Sequence, residues 1–194
     1  MQSTMKLVIL DRDGTINSDS DDFVKTPEEW LPLPGALEAI ARLNHAGWHV
    51  VIASNQSGLG RGLFDVASLN AIHAKMNKML AALGGRVDAV FYCPHSPEES
   101  CNCRKPLPGL FEQIGALFGV PLKGVPTAGD SLRDLLAGAA AGCEPHLVLT
   151  GKSAQYRNGV PPEGMPPGTL VHRDLSAFAD FILERSARPA PASL

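Results

Sequence analysis

Apolar and polar positions follow two rhythms along this chain, and the changes between them mark out its elements. Lys6 to Leu10 is a short unbroken run of Leu, Val and Ile, the pattern of a strand buried on both faces. From Ala36 to Ala46 the apolar residues Leu37, Ile40, Ala41 and Leu43 recur at helical spacing, and Gly47 ends the run. "WHVVIASN" returns to a strand. Asp65 stands where a helix cap is wanted, ahead of Leu69, Ile72, Met76, Leu80 and Leu83 on one helical face. "VDAVFYC" predicts a third strand, "PGLFEQIGALFG" a helix closed by Gly119, and "GVPTAGD" a short fourth strand that runs into a loop. A small-residue helix over Leu132 to Ala141 leads to a fifth strand, "HLVLT". Strands alternating with helices predict an α/β fold: a Rossmann-like parallel sheet flanked by helices on both faces. No internal repeat interrupts it.

Length and composition narrow this picture. A chain of 194 residues suits one domain with a full core, here residues 1–187. Gly159 to Gly168 is Pro- and Gly-rich and predicts a loop, and residues 188–194 predict a disordered tail. The net charge is −3 with no basic block, so no nucleic acid partner is expected. No apolar run approaches the ~20 residues that cross a bilayer, and no membrane association is expected. The start "MQSTMKLVIL" lacks a secretory pattern, which points to the cytoplasm. In that compartment four cysteines are not expected to form a disulfide framework.

In an open α/β sheet the carboxyl ends of the strands face the ligand crevice. Read in order, those ends supply Asp11, Asp13, Gly14 and Thr15, then Ser54, Asn55, Gln56 and Ser57, then Arg104 and Lys105, then Gly129 and Asp130. Three carboxylates, a hydroxyl, an amide and two cations suit transfer of a phosphoryl group to a carboxylate with a divalent metal. A phosphate monoester repels an attacking carboxylate, and Mg²⁺ bound through hard oxygen ligands removes much of that repulsion. A lysine and a hydroxyl stabilise charge on the transferring oxygens, while a second acid protonates the leaving alkoxide and later activates water. The bland alternative for "DRDGT" is a polar strand-to-loop turn.

The loop "CPHSPEESCNC" holds Cys93, His95, Cys101 and Cys103, enough for a closed tetrahedral Zn²⁺ site. Reduced cysteines in an ordinary loop are the competing reading. Four protein ligands leave no open position, so this zinc is structural, and it would aim Arg104 and Lys105 at the phosphate. Cys143, in an Ala- and Gly-rich stretch, reads as a small buried residue. "GLGRG" at residues 58–62 lacks both the GxGxxG and the GxxxxGK[ST] pattern and reads as a flexible substrate-side loop. His73 reads as a residue at the core's edge, and His45, His49, His146 and His172 show no partner pattern. Lys25 and Glu28 read as solvated charges.

"DRDGT", "SNQ", "RKP" and "GD", in that order, resemble the four motifs of the haloacid dehalogenase (HAD) phosphatases. The resemblance implies Asp11 as nucleophile, Asp13 as general acid/base, and Ser54 and Lys105 as phosphoryl stabilisers. It implies catalytic Mg²⁺ held by Asp11, Asp130 and the backbone carbonyl of Asp13. Ser131 follows Asp130 where many relatives carry a second acid or a lysine, and is left out of the metal shell. Within the family, the zinc loop with "GLGRGLF" and "CRKPLPGL" resembles the branch acting on heptose bisphosphates; histidinol-phosphate phosphatases are the alternative. By that resemblance Asp19, Ser20, Asp21, Asp22, Ser54, Asn55, Gln56, Ser57, Arg104 and Lys105 contact a small sugar bisphosphate, with Arg104 at its remote phosphate. A monomer is expected. The short segments between motifs leave no room for a cap domain. A non-catalytic zinc-stabilised interaction module is the reading from another class, and the complete set of catalytic side chains weighs against it.

Overall fold

The computed structural model describes residues 5–156, 160 and 162–188. Six strands form one sheet: β1 Leu7–Leu10, β2 His49–Asn55, β3 Ala89–Cys93, β4 Pro126–Gly129, β5 Glu144–Val148 and β6 Leu170–His172. Their spatial order is β3-β2-β1-β4-β5-β6, and every neighbouring pair is parallel. Leu7 lies opposite His49 and Leu10 opposite Ile52, while on the other side Leu10 lies opposite Ala128. The helices are α1 Ala36–His45, α2 Ser57–Gly60, α3 Val66–Ala82, α4 Gly109–Phe118, α5 Leu132–Ala140 and α6 Leu175–Ala187.

The period of two along β1 sends its side chains into two cores. Val8 and Leu10 pack with residues of α1, α3 and α6, including Ile40, Ile72 and Phe178. Leu7 and Ile9 pack on the opposite face with Leu110, Phe111 and Ile114 of α4. This explains the unbroken apolar runs: a central parallel strand has no wet face. Asp65 caps α3 as its position predicts, accepting from the Ser68 N–H at 2.7 Å. Leu69, Ile72, Met76 and Leu80 are buried, whereas Leu83 lies beyond the last helical turn and is exposed, against expectation.

The pattern predicted five strands; the sheet has six. β6 is only three residues long, too short to announce itself, and α6 follows it with Asp174 as N-cap. Residues 189–194 of the expected tail, and part of the 159–168 loop, lie outside the described residues. The chain runs from β1 outward to β3 and then returns to β4 on the other side. This reversal opens a crevice beyond the carboxyl ends of β1 and β4. No helix is long and apolar enough to cross a membrane among the described residues.

Candidate active site

Asp11 follows the last residue of β1, and Asp130 follows the last residue of β4, so both emerge at the mouth of the crevice. Asp134 joins them from the first turn of α5. These carboxylates each offer an oxygen within 4.8 Å of the others. Lys105 Nζ lies 2.7 Å from Asp11 Oδ1 and 2.7 Å from Asp134 Oδ1, and donates to the Ala53 carbonyl at 2.8 Å. All three protons of a buried ammonium thereby have acceptors. Burial, then the charge of Asp134, pushes the Asp11 carboxyl up to about 7 although Lys105 opposes it. Burial, then Asp11 and Asp134, pushes Asp130 up to about 8. For Asp134 the balance reverses: burial would raise it, but Lys105 and Ser131 hold it below the usual range.

Two glycines make room for this cluster. A Cβ on Gly14 would fall 2.2 Å from Asp130 Oδ2, and one on Gly151 would fall 2.0 Å from the same atom. Both have positive φ, 84° and 46°, so the close approach and the backbone conformation ask for the same residue.

Asp13 lies outside that carboxylate group, with its own set of partners. Arg12, fully buried, grips it through Nη2 at 2.9 and 3.0 Å and through Nε at 3.1 Å. Asn17 Nδ2 donates to it at 2.9 Å and Gln56 Nε2 at 2.8 Å. Burial acts to raise the Asp13 carboxyl, but Arg12, Asn17 and Gln56 together hold it below the usual range. The same Gln56 nitrogen donates to Ser54 Oγ at 2.8 Å, tying the second strand's end to the first. His73 Nε2 lies 3.1 Å from Arg12 Nη1; burial and then the Arg12 charge push this histidine down to about 4, so it is the neutral acceptor.

Above these acids lies a cavity of about 250 Å³ lined by Asp11, Asp13, Asp19, Ser20, Asp21, Asn55, Gln56, Ser57, Arg104 and Lys105, all sequence-predicted site residues. Ser54 sits beneath it, 1 % exposed. Asp22 is exposed and outside the lining. The walls also carry Phe23, Val24, Arg61, Arg133 and Lys152. Asn55 serves the lysine as well as the wall: its side chain accepts from the Lys105 N–H at 3.0 Å and donates to the Lys105 carbonyl at 3.1 Å. To one side, Cys93, His95, Cys101 and Cys103 bring four ligand atoms within 4.8 Å of one another. His95 Nδ1 lies 3.4 Å from Cys93 Sγ and 3.3 Å from Cys103 Sγ.

The sequence model of the "Polynucleotide kinase 3 phosphatase" family matches residues 6–143. The chain is 58 % identical over 182 residues to the D-glycero-beta-D-manno-heptose-1,7-bisphosphate 7-phosphatase of Bordetella bronchiseptica, covering 94 % of this chain and 100 % of that protein. The chain belongs to the heptose-bisphosphate phosphatase family. The crystal structure of the D,D-heptose 1,7-bisphosphate phosphatase from B. bronchiseptica, complexed with magnesium and phosphate, superposes with a TM-score of 0.89. It is 57 % identical and covers 93 % of this chain and 99 % of that one. A HAD-like phosphatase structure from Mesorhizobium loti follows at 31 % identity and a TM-score of 0.76, covering 97 % and 90 %.

This heptose-bisphosphate phosphatase family member has the donor sets for two metals. Three buried carboxylates, two of them pushed upward first by burial and then by their neighbours' charge, form a hard oxygen nest that suits Mg²⁺. The Asp13 carboxylate is engaged by Arg12, Asn17 and Gln56. Three thiols and an imidazole suit zinc. Asp134 is the residue that sequence reading missed. Ser131 is not the second acid but the N-cap of α5. Its backbone N–H donates to Asp134 Oδ2 at 3.0 Å and its hydroxyl to the same oxygen at 2.5 Å. The S-x-x-D capping pattern was the signal available, and it brings Asp134 around one helical turn to face Lys105.

Proposed function

We propose that this chain removes the 7-phosphate of D-glycero-β-D-manno-heptose 1,7-bisphosphate in a Mg²⁺-dependent hydrolysis through an aspartyl-phosphate on Asp11. The observation that carries this reading is the pairing of Asp11 with Lys105 at a cavity lined by both aspartates and cations, with a differently tuned acid, Asp13, two residues away. Asp11, Asp130 and the Asp13 carbonyl would hold the metal, with Asp134 beside them. When bound, Mg²⁺ supplies the positive charge that lets a carboxylate approach a phosphate dianion.

Asp11 attacks phosphorus opposite the leaving C7 oxygen. Lys105 follows the charge from the carboxylate onto the transferring oxygens, and Ser54, whose oxygen accepts from Gln56, keeps its own proton to donate there. Asp13 gives a proton to the departing alkoxide. In the free site its carboxyl is held low, and a phosphate dianion entering beside it raises its proton affinity. Once the alcohol leaves, Asp13 returns to the base form that Arg12 favours and takes a proton from the water that opens the acyl phosphate. Cys93, His95, Cys101 and Cys103 would hold a structural zinc, which would fasten the loop that delivers Arg104 and Lys105.

In this reading residues 1–187 act as one catalytic domain, as a monomer in the cytoplasm. The heptose 1-phosphate product would feed ADP-heptose assembly for the lipopolysaccharide core. The test is a phosphate-release screen with Mg²⁺ over heptose 1,7-bisphosphate, histidinol phosphate and simple sugar monophosphates. The bisphosphate is expected to have the highest kcat/KM, with release abolished by EDTA and restored by added Mg²⁺. A preference for histidinol phosphate would replace the substrate assignment.

A further inference from the structure

Five cations line the active-site cavity: Arg61, Arg104, Lys105, Arg133 and Lys152. Lys105 is committed to Asp11 and Asp134. Lys152 is committed to Asp19 at 3.1 Å and Asp21 at 2.7 Å. Among the described residues Arg61, Arg104 and Arg133 make no direct ion pair with a carboxylate, and of these Arg133 stands apart on α5.

Arg61 and Arg104 are mounted on one unit. Arg61 directly follows α2, and the last residue of α2 is docked on the zinc loop: the Gly60 N–H donates to the Pro94 carbonyl at 2.9 Å. The contact is close enough that a Cβ on Gly60 would lie 2.6 Å from that oxygen and 3.0 Å from the Ser96 nitrogen. Pro94 sits between Cys93 and His95, and Arg104 donates to the His95 carbonyl at 3.3 Å. Glu98 in the same loop is held below the usual carboxylate range, first by its own backbone N–H and Ser96, then by both Arg61 and Arg104. Both cations therefore reach the field of one loop anion.

Arg61 is also held from the other wall. Its guanidinium carbon lies 5.7 Å from the centroid of the Phe23 ring, a cation–π arrangement. Phe23 has φ 64°, the left-handed region that a bulky side chain rarely enters. The Phe23 N–H donates to the Ser20 carbonyl at 3.1 Å, closing a turn that presents the ring to the cavity.

We propose that Arg61 is a specificity-determining residue: together with Arg104 it grips the phosphate remote from the reacting centre, and Phe23 is the face that positions it. This rests on the bisphosphate reading above and extends it to a residue, and a loop docked on the zinc site, that the active-site motifs do not include. Two planar guanidiniums presented from one loop unit match the several oxygens of a phosphate dianion better than one.

The test measures kcat and KM of wild type, Arg61→Gln, Phe23→Leu and Arg133→Gln on heptose 1,7-bisphosphate and on heptose 7-phosphate, which lacks the remote group. Arg61 is exposed, so its replacement leaves the fold in place. Arg61→Gln is expected to lower kcat/KM for the bisphosphate by about ten- to a hundredfold, chiefly through KM. The monophosphate should change by less than about threefold. Phe23→Leu should produce a smaller loss of the same selectivity and add little to Arg61→Gln, because it acts through that arginine. Equal losses on both substrates, no loss at all, or selectivity lost in Arg133→Gln instead would overturn the inference. Failure of the underlying substrate reading shows itself separately, as a wild type that does not prefer the bisphosphate, and the inference falls with it.

Discussion

Asp134→Asn tests whether this acid serves the chemistry or only the helix that carries it. Asp134 Oδ1 faces Lys105 Nζ at 2.7 Å, while Oδ2 takes the Ser131 N–H at 3.0 Å and its hydroxyl at 2.5 Å. An amide has one oxygen. With that oxygen toward Lys105, its NH₂ confronts the Ser131 N–H; turned over, the NH₂ confronts the ammonium. Each orientation loses at least one charge-assisted hydrogen bond, worth roughly 1.5–3 kcal/mol. The buried acidic nest also loses one of its three carboxylates, the one held most firmly in its charged form, which weakens its hold on Mg²⁺. Together these should lower kcat/KM by about two orders of magnitude and shift half-maximal activation to higher Mg²⁺. Ser131→Ala is the control: it removes one cap bond and about 1 kcal/mol of stability while leaving Lys105 its partner. Phosphate release across a Mg²⁺ titration, beside thermal unfolding of all three proteins, separates the roles. Should Asp134→Asn keep the wild-type Mg²⁺ dependence and kcat, losing stability only as Ser131→Ala does, Asp134 is a helix cap and nothing more.

Three further outcomes are expected. Asp11→Asn keeps the shape of the nucleophile without its charge and should abolish turnover while the protein still folds; phosphate release near the wild-type rate would remove the covalent route. Purified protein should carry about one zinc per chain through mild dialysis, and Cys101→Ser should lower thermal stability and Lys105-dependent activity together; metal-free protein of undiminished stability would refute the zinc reading. Burial pushes His146 down to about 4, even though Glu144 accepts from it at 2.7 Å; His172, 2.9 Å from its other nitrogen, adds to the downward push. An unfolded histidine titrates near 6.5, so the stabilising contribution is full above that pH and is lost as pH falls toward 4, about 2 kcal/mol of it by pH 5. Because the raised acids of the metal nest titrate in the opposite sense, the readout is the difference in chemical unfolding between wild type and His146→Gln; an equal pH dependence in both would refute it.

The sheet and the strand-end acids were legible because buried parallel strands read as unbroken apolar runs, and because loops at their carboxyl ends carry the polar residues. Asp134 was harder. It lies four residues past Asp130 and inside a helix, so only its cap partnership with Ser131 reveals that it turns back toward the crevice. The sixth strand is three residues of mixed burial, and α6, which the sequence reading did not name, carries its helical period in Leu175, Phe178, Ala179 and Ile182. Arg133 and Lys152 had no sequence signal as site residues, and Arg61 was marked only as part of a substrate-side loop. Each is an exposed cation on a loop or helix end, and only the folded chain brings them to one cavity. The partnership of His146 with His172 likewise joins residues of neighbouring strands, which no local pattern reports.

The central claim is that one phosphate leaves, from C7, and the other stays. A ³¹P NMR time course of D-glycero-β-D-manno-heptose 1,7-bisphosphate with the protein and Mg²⁺ tests it directly. The expected spectrum loses the C7 phosphomonoester signal, gains one equivalent of inorganic phosphate, and keeps the anomeric C1 phosphate intact. Loss of the C1 signal first, or no inorganic phosphate at all, would contradict the account.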